Sequence, residues 1–169
     1  LTEAKTQLRE TSSDFDAQIT SQIGAARHAA ETRTGRSLIT QTWKATLSAF
    51  PSVDTIQLSR PPVQSITSVT YLDTDDVRQT FAAANYTLDK FGRGFVSLAE
   101  DAFWPSGVKE QAGSVEITFI CGYGSASSDV PGDLVNAVRL LLEDSYCGPL
   151  PSNARDRSIK ALLLTYVAR

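Results

Sequence analysis

Residues 34–47, Thr34-Gly35-Arg36-Ser37-Leu38-Ile39-Thr40-Gln41-Thr42-Trp43-Lys44-Ala45-Thr46-Leu47, carry a change of period. Before Gly35 the apolar residues recur at three- and four-residue steps, the spacing of one helix face. From Ser37 they alternate, with Ile39, Trp43, Ala45 and Leu47 on one face and Thr40, Thr42, Lys44 and Thr46 on the other, the spacing of a half-buried strand. Gly35 stands at the switch and tolerates the left-handed conformation that ends helices. The stretch predicts a helix that stops and a strand that starts within a few residues.

Toward the N-terminus, the apolar set Phe15, Ile19, Ile23, Ala26 and Ala30 predicts the helix that ends at Gly35, with Ser13 as its cap. A shorter helix is expected over Leu1 to Arg9, capped by Thr2, with Leu1 packing back on it. Toward the C-terminus, strands are expected at Thr55 to Leu58, Ser65 to Leu72, Val77 to Phe81, Tyr86 to Leu88, Phe95 to Leu98 and Val115 to Cys121. Turn chemistry separates them: Pro61-Pro62, the acidic turn Asp73 to Asp76, and Lys90 to Gly94 with two glycines. In the last strand Val115, Ile117, Phe119 and Cys121 should point inward.

A second change of period follows. Pro131 is expected at the first position of a helix, where a missing amide hydrogen costs nothing, with Leu134, Val138, Leu141, Leu142 and Ser145 or Tyr146 as its inner stripe and Gly148-Pro149 as its stop. A last helix should run from Asn153 to Tyr166 with Ile159, Leu162, Leu163 and Tyr166 on one face. The order, helices, then about seven short strands, then helices, lacks the alternation that builds parallel sheets. The expected class is α+β: a helical bundle from the two ends with an inserted antiparallel β region. The expected organisation is one domain over 1–169, comprising helices in 1–36, the β insertion in 37–124 and helices in 130–169.

The 169 residues, 41% hydrophobic and 21% charged, suit an ordinary soluble domain able to bury a core without a staple. Cys121 and Cys147 lie far apart and form no CxxC, which fits a reduced compartment and gives no thiolate metal site. No apolar run approaches the roughly 20 residues of a bilayer span, and Leu1 to Glu10 lack a signal-peptide core. Sixteen basic and nineteen acidic residues give a net charge of −3, against a dominant cationic surface for nucleic acid. Methionine is absent, even as initiator, so the sequence is expected to be a trimmed chain with interface residues outside it.

Catalytic chemistry finds little to work with. His28, the single histidine, has no evident partner, so neither a triad nor a paired-histidine metal site can be built. Ser106-Gly107-Val108-Lys109 has the serine–lysine spacing of penicillin-binding enzymes, but Pro105 and Gly107 predict a loop where the chemistry needs a helical turn. Asp73, Asp75 and Asp76 begin like a calcium loop, yet Arg78 and Ala84 stand where its glycine and glutamate belong, and a hairpin turn explains them better. Gly122-Tyr123-Gly124 has the look of a dinucleotide-binding turn, but Ser127 replaces the third glycine and no strand-helix-strand unit surrounds it. Lys90-Phe91-Gly92-Arg93-Gly94-Phe95 mixes rings and cations as single-strand binders do, although a glycine-rich β-turn accounts for it as well. Trp43, Phe103 and Trp104 are assigned to packing. No catalytic, cofactor-binding or metal residue is expected.

Several stretches together resemble the phage head–tail connector family, the adaptor proteins beneath the portal ring. They are 34–43, Leu58-Ser59-Arg60-Pro61-Pro62-Val63-Gln64-Ser65-Ile66, Val69-Thr70-Tyr71-Leu72-Asp73, Phe119-Ile120-Cys121-Gly122-Tyr123-Gly124, Asp129-Val130-Pro131 opening a helix, and Ala161-Leu162-Leu163 with Tyr166. The resemblance implies a structural virion protein, assembled in the bacterial cytoplasm and placed in the neck of a phage, prophage or gene-transfer particle. It implies a ring of identical subunits, a dodecamer, that docks on the portal, meets a neck stopper or tail protein, and lets double-stranded DNA pass without sequence-specific binding.

For individual residues it implies that Arg155, Arg157, Lys160, Tyr166 and Arg169 touch the portal or the neighbouring subunit, with closure of the helical core by Tyr166 as the other reading. Lys90, Phe91 and Arg93 would belong to a loop facing the channel or the tail. The family places an arginine directly after its final tyrosine, whereas Val167-Ala168-Arg169 follows Tyr166 here. From another class, the alternative is a monomeric α+β enzyme or small-ligand-binding domain.

Overall fold

The structure, a computed structural model, describes residues 1–90, 92–147 and 153–167. The class is α+β, with helices at both ends of the chain and antiparallel strands between them. Two compact units emerge, one of 1–38 with 124–169 and one of 39–123.

The first unit contains helices α1 (Thr2–Leu8), α2 (Asp16–Thr34), α3 (Gly132–Cys147) and α4 (Asn153–Leu164). α3 packs against each of the other three. Ile19, Ala26 and Ala30 of α2, Leu134, Ala137, Leu141 and Leu142 of α3, and Ile159 and Leu163 of α4 are buried. The predicted stripes are thus partly in place, with Ala137 added, while Phe15 and Ser145 are exposed and Ile23, Val138, Tyr146, Leu162 and Tyr166 are half-buried.

Helix starts differ from expectation. Thr2 lies inside α1 and Ser13 lies before α2, and neither helix has a side-chain cap bond, Leu1 and Phe15 occupying the cap positions. Instead the Lys5 ammonium donates to the Asp16 carboxylate at 2.7 Å, tying α1 to the first turn of α2, where a negative charge also faces the helix dipole. Pro131 precedes α3 by one residue and its carbonyl accepts from the amides of Leu134 and Val135. α3 reaches Cys147, and the predicted stop at Gly148-Pro149 lies outside the described residues.

Gly35 ends α2 in the left-handed conformation, φ 67°. A buried polar set fixes the exit: Glu31 Oε1 accepts from the Leu38 amide at 2.8 Å, and Thr34 Oγ1 donates to the Ala30 carbonyl at 2.8 Å. Buried polar groups need such partners, because losing water without replacing its hydrogen bonds is costly.

The second unit is built on β-strands, with one short 3-10 turn at Ala83–Asn85. Strands β1 (Gln41–Leu47), β7 (Val115–Cys121), β3 (Val63–Leu72) and β4 (Arg78–Phe81) form a four-stranded antiparallel sheet in that spatial order. Strands β2 (Thr55–Gln57), β6 (Phe95–Leu98) and β5 (Tyr86–Asp89) form a three-stranded one. β7 is central and alternates as predicted, with Val115, Ile117, Phe119 and Cys121 all at 0% exposure, which identifies the residues the unit is built around. Ile56, Val63, Val69, Phe81 and Val96 from the other strands, with Leu58 just after β2, complete one core. β3 accommodates its ten residues by two register irregularities against β7.

Candidate functional site

The sequence patterns that suggested chemistry are occupied structurally. His28 sits on the exposed side of α2. Ser106 to Lys109 form a loop in which Gly107 has φ 72°, and the Lys109 ammonium pairs with Asp76. Asp73 organises a hairpin turn: its Oδ1 accepts from the amides of Asp75 at 3.0 Å and Val77 at 2.9 Å. The Gln79 side-chain amide donates to its Oδ2 at 2.8 Å, and these bonds hold the Asp73 carboxyl below its usual range. Among the described residues no group of three or more His, Cys, Asp or Glu side chains is placed to hold a metal ion, and no helix is long and apolar enough to cross a membrane.

Gly122 has φ 118°, and a Cβ there would fall 2.5 Å from the Ile39 carbonyl oxygen. Its amide donates to the Pro62 carbonyl at 2.8 Å, and its own carbonyl accepts from the Gln64 side chain at 2.7 Å. The glycine therefore serves close backbone approach, and the amide a pyrophosphate would need is already bonded.

The β5–β6 connection is a glycine turn. Gly92 has φ 65° and Gly94 φ 88°, and a Cβ on Gly94 would stand 2.7 Å from Val63 Cγ2. Lys90 is exposed, Arg93 is half-buried with its guanidinium beside the Gln57 amide, and Phe91 lies outside the described residues.

The residues expected at an interface divide along α4. Arg155 is bound to Glu143 at 3.1 Å and Asp144 at 3.4 Å, so its guanidinium clamps α4 to α3. Arg157 lies on the exposed side, and Lys160, 73% exposed at its side chain, pairs with Asp156 one turn earlier at 2.6 Å. The Tyr166 carbonyl accepts from Arg36 Nε at 2.6 Å, and the same guanidinium lies over the Tyr166 ring, 5.9 Å from its centre. Arg169 lies outside the described residues.

Beside Lys160 runs a groove of about 740 Å³ lined by Arg33, Asp156, Leu163, Leu164 and Val167. Leu164 is 65% and Val167 38% exposed, an apolar pair missed by a reading that followed only the inner stripe. The signal was present, since Leu164 is the third leucine of Leu162-Leu163-Leu164 and falls off that stripe.

Phe103 corrects another expectation. Expected to pack, it is 83% exposed. Its neighbour Trp104 is the packed ring, stacked on Phe50 with centres 4.9 Å apart and donating its indole N–H to the Val53 carbonyl at 2.8 Å. Asp101, with φ 60°, lies two residues before Phe103 in the same loop. Trp43 does pack on the β core, its outer face covered by the Arg60 guanidinium 4.7 Å from the ring centre.

No family model matches the chain, and no curated protein does. Solved structures do. The neck of an empty gene transfer agent (GTA) particle, computed with C6 symmetry, contains a chain 27% identical, with TM-score 0.83 over 99% of this chain and 88% of that one. The virion of the native GTA particle gives 28% identity and TM-score 0.83 over the same shares. The neck of the native particle, computed with C12 symmetry, gives 28% identity and TM-score 0.80 over 98% of this chain and 88% of that one. The likeness is to neck proteins of a phage-like particle, and it agrees with the connector resemblance of the sequence.

Proposed function

We propose that this chain is a structural head–tail connector subunit: it forms a homo-oligomeric ring on a portal, prolongs the DNA channel and offers an attachment surface to neck or tail proteins. One observation carries the reading, the fold shared over 99% of the chain with a component of a GTA particle neck. Those necks were computed with C6 and C12 symmetry, and rotational symmetry of that kind arises from copies repeated around an axis. The role is structural, not enzymatic, and needs no cofactor.

The surface chemistry is compatible with passing DNA. A net charge of −3 leaves phosphates largely unneutralised, so DNA slides without being held. In this reading the turn with Lys90, Phe91 and Arg93 faces the channel or the tail side. Arg157, Lys160 and Tyr166 face the portal or the neighbouring subunit, with Arg169, while Arg155 positions the helix that carries them. The whole of 1–169 acts as one connector subunit.

Native mass measurement of the chain mixed with its portal tests this. A stoichiometric complex with six or twelve copies is expected from the neck symmetries. A chain that remains monomeric and ignores the portal refutes the reading.

A further inference from the structure

We propose that the groove along α4 is the socket for a second copy of this chain, and that the Phe103 side chain of that copy fills it. The proposal rests on the ring reading and names the contact that would close the ring. Closed rings use heterologous contacts, in which one copy presents a surface to a different surface of the next, so a knob and an unlike socket on the same chain are what the symmetry needs.

The knob is presented firmly. Phe103 is 83% exposed, yet its loop is anchored at both sides. The Ala99 amide donates to the Asn85 carbonyl at 2.9 Å and the Ala102 amide to the Ala99 carbonyl at 3.1 Å. Trp104 is locked by its stack on Phe50 and its bond to Val53. An aromatic ring held outward on a fixed backbone loses little freedom on docking, and such anchors dominate the binding energy of interfaces.

The socket matches it in shape class and charge. Its floor is Leu163, Leu164 and Val167, and its volume, about 740 Å³, admits a phenyl ring together with flanking chain. Its rim bears two cations, Arg33 and Lys160, against one anion, Asp156. The knob is preceded by Glu100 and Asp101, and no cation occurs between Ala99 and Val108. An acidic loop with an apolar tip therefore meets an apolar groove with a net positive rim, an arrangement that fixes partner and register.

Two chains, one carrying Phe103→Cys and one carrying Leu164→Cys, are mixed with portal present and treated with a mild oxidant. Both positions are exposed, so neither substitution disturbs a core. The expected result is a covalent chain pair joined through positions 103 and 164, formed in the mixture and not by either chain alone. With the mixture held more than about thirty times above the parent's half-maximal assembly concentration, so that trimming the anchor does not prevent assembly, rings seen by native mass without that pair overturn the socket while leaving the ring reading intact; absence of any ring formed by the unsubstituted chain with portal overturns both. Separately, Phe103→Ala is expected to raise the chain concentration for half-maximal ring assembly roughly thirty-fold, the effect of deleting an interface anchor. Unchanged assembly contradicts the proposal.

Discussion

Arg36 and Tyr166 are joined twice: Arg36 Nε donates to the Tyr166 carbonyl at 2.6 Å while its guanidinium covers the Tyr166 ring. The bond ties the segment after α2 to the turn that follows α4, 130 residues later. Arg36→Ala should cost about 1–2 kcal/mol of unfolding free energy, the scale of a charged hydrogen bond in a part-buried place. It should also speed amide exchange over Lys160 to Tyr166. Tyr166→Phe keeps both the carbonyl and the ring and should stay within about 0.5 kcal/mol of the parent. Equal losses in the two variants, read by urea unfolding, would show that the hydroxyl matters and the bond does not.

Phe119 has no exposed surface and lies on the central strand, paired with Trp43 of β1 and Ile66 of β3. Phe119→Ala should destabilise by about 3–5 kcal/mol through lost burial and an unfilled cavity, whereas Ile117→Val at the same depth should cost about 0.5–1.5 kcal/mol. Denaturant midpoints would rank them.

Two glycines with positive φ separate crowding from conformation. Gly92, with φ 65°, has open space where a Cβ would lie, so Gly92→Ala should cost only the conformational penalty, about 1 kcal/mol. Gly122→Ala adds a clash with the Ile39 backbone and should cost more than about 2 kcal/mol. Thermal unfolding of both variants checks the order.

Acid should weaken the β unit. The Lys44 ammonium, at 2.7 Å, and the Arg78 guanidinium hold the Glu116 carboxyl below its ordinary 4.5, and the Gln79 and Val77 bonds hold Asp73 below its ordinary 3.8. A folded-state value below the unfolded one contributes stability that is complete above the ordinary value and fades as pH falls through the lowered one. Stability should therefore be flat from neutrality down to the carboxylate range and decline below it. Glu116→Gln should remove part of that decline while lowering stability at neutral pH. An acid decline unchanged by Glu116→Gln would refute the assignment.

The centre of the β unit is legible because the period of β7 is strict. Val115 to Cys121 could be read to the residue, since a central strand covered on one face repeats its burial every second position. Helix starts were not, because Thr2 and Ser13 are good capping types, yet the Lys5–Asp16 pair joins the start of α2 to α1, a contact that sequence spacing does not reveal. The burial of Glu31 is not legible either, because it goes with a bond to the Leu38 amide beyond the helix end.

Of the candidate surface, the exposure of Lys160 is legible from its place off the inner stripe, whereas the bonds of Arg155 to Glu143 and Asp144 are not, because those partners lie on another helix. Which of Phe103 and Trp104 faces inward is set by the backbone of the 99–105 loop, including Asp101 at φ 60°, a geometry composition does not encode.

The most direct test of the connector reading is an electron-microscopic reconstruction of the chain bound to its portal. A closed ring coaxial with the portal, with this fold repeated around the axis, is the predicted result. A portal with no added density, alongside a chain that stays monomeric, would contradict it.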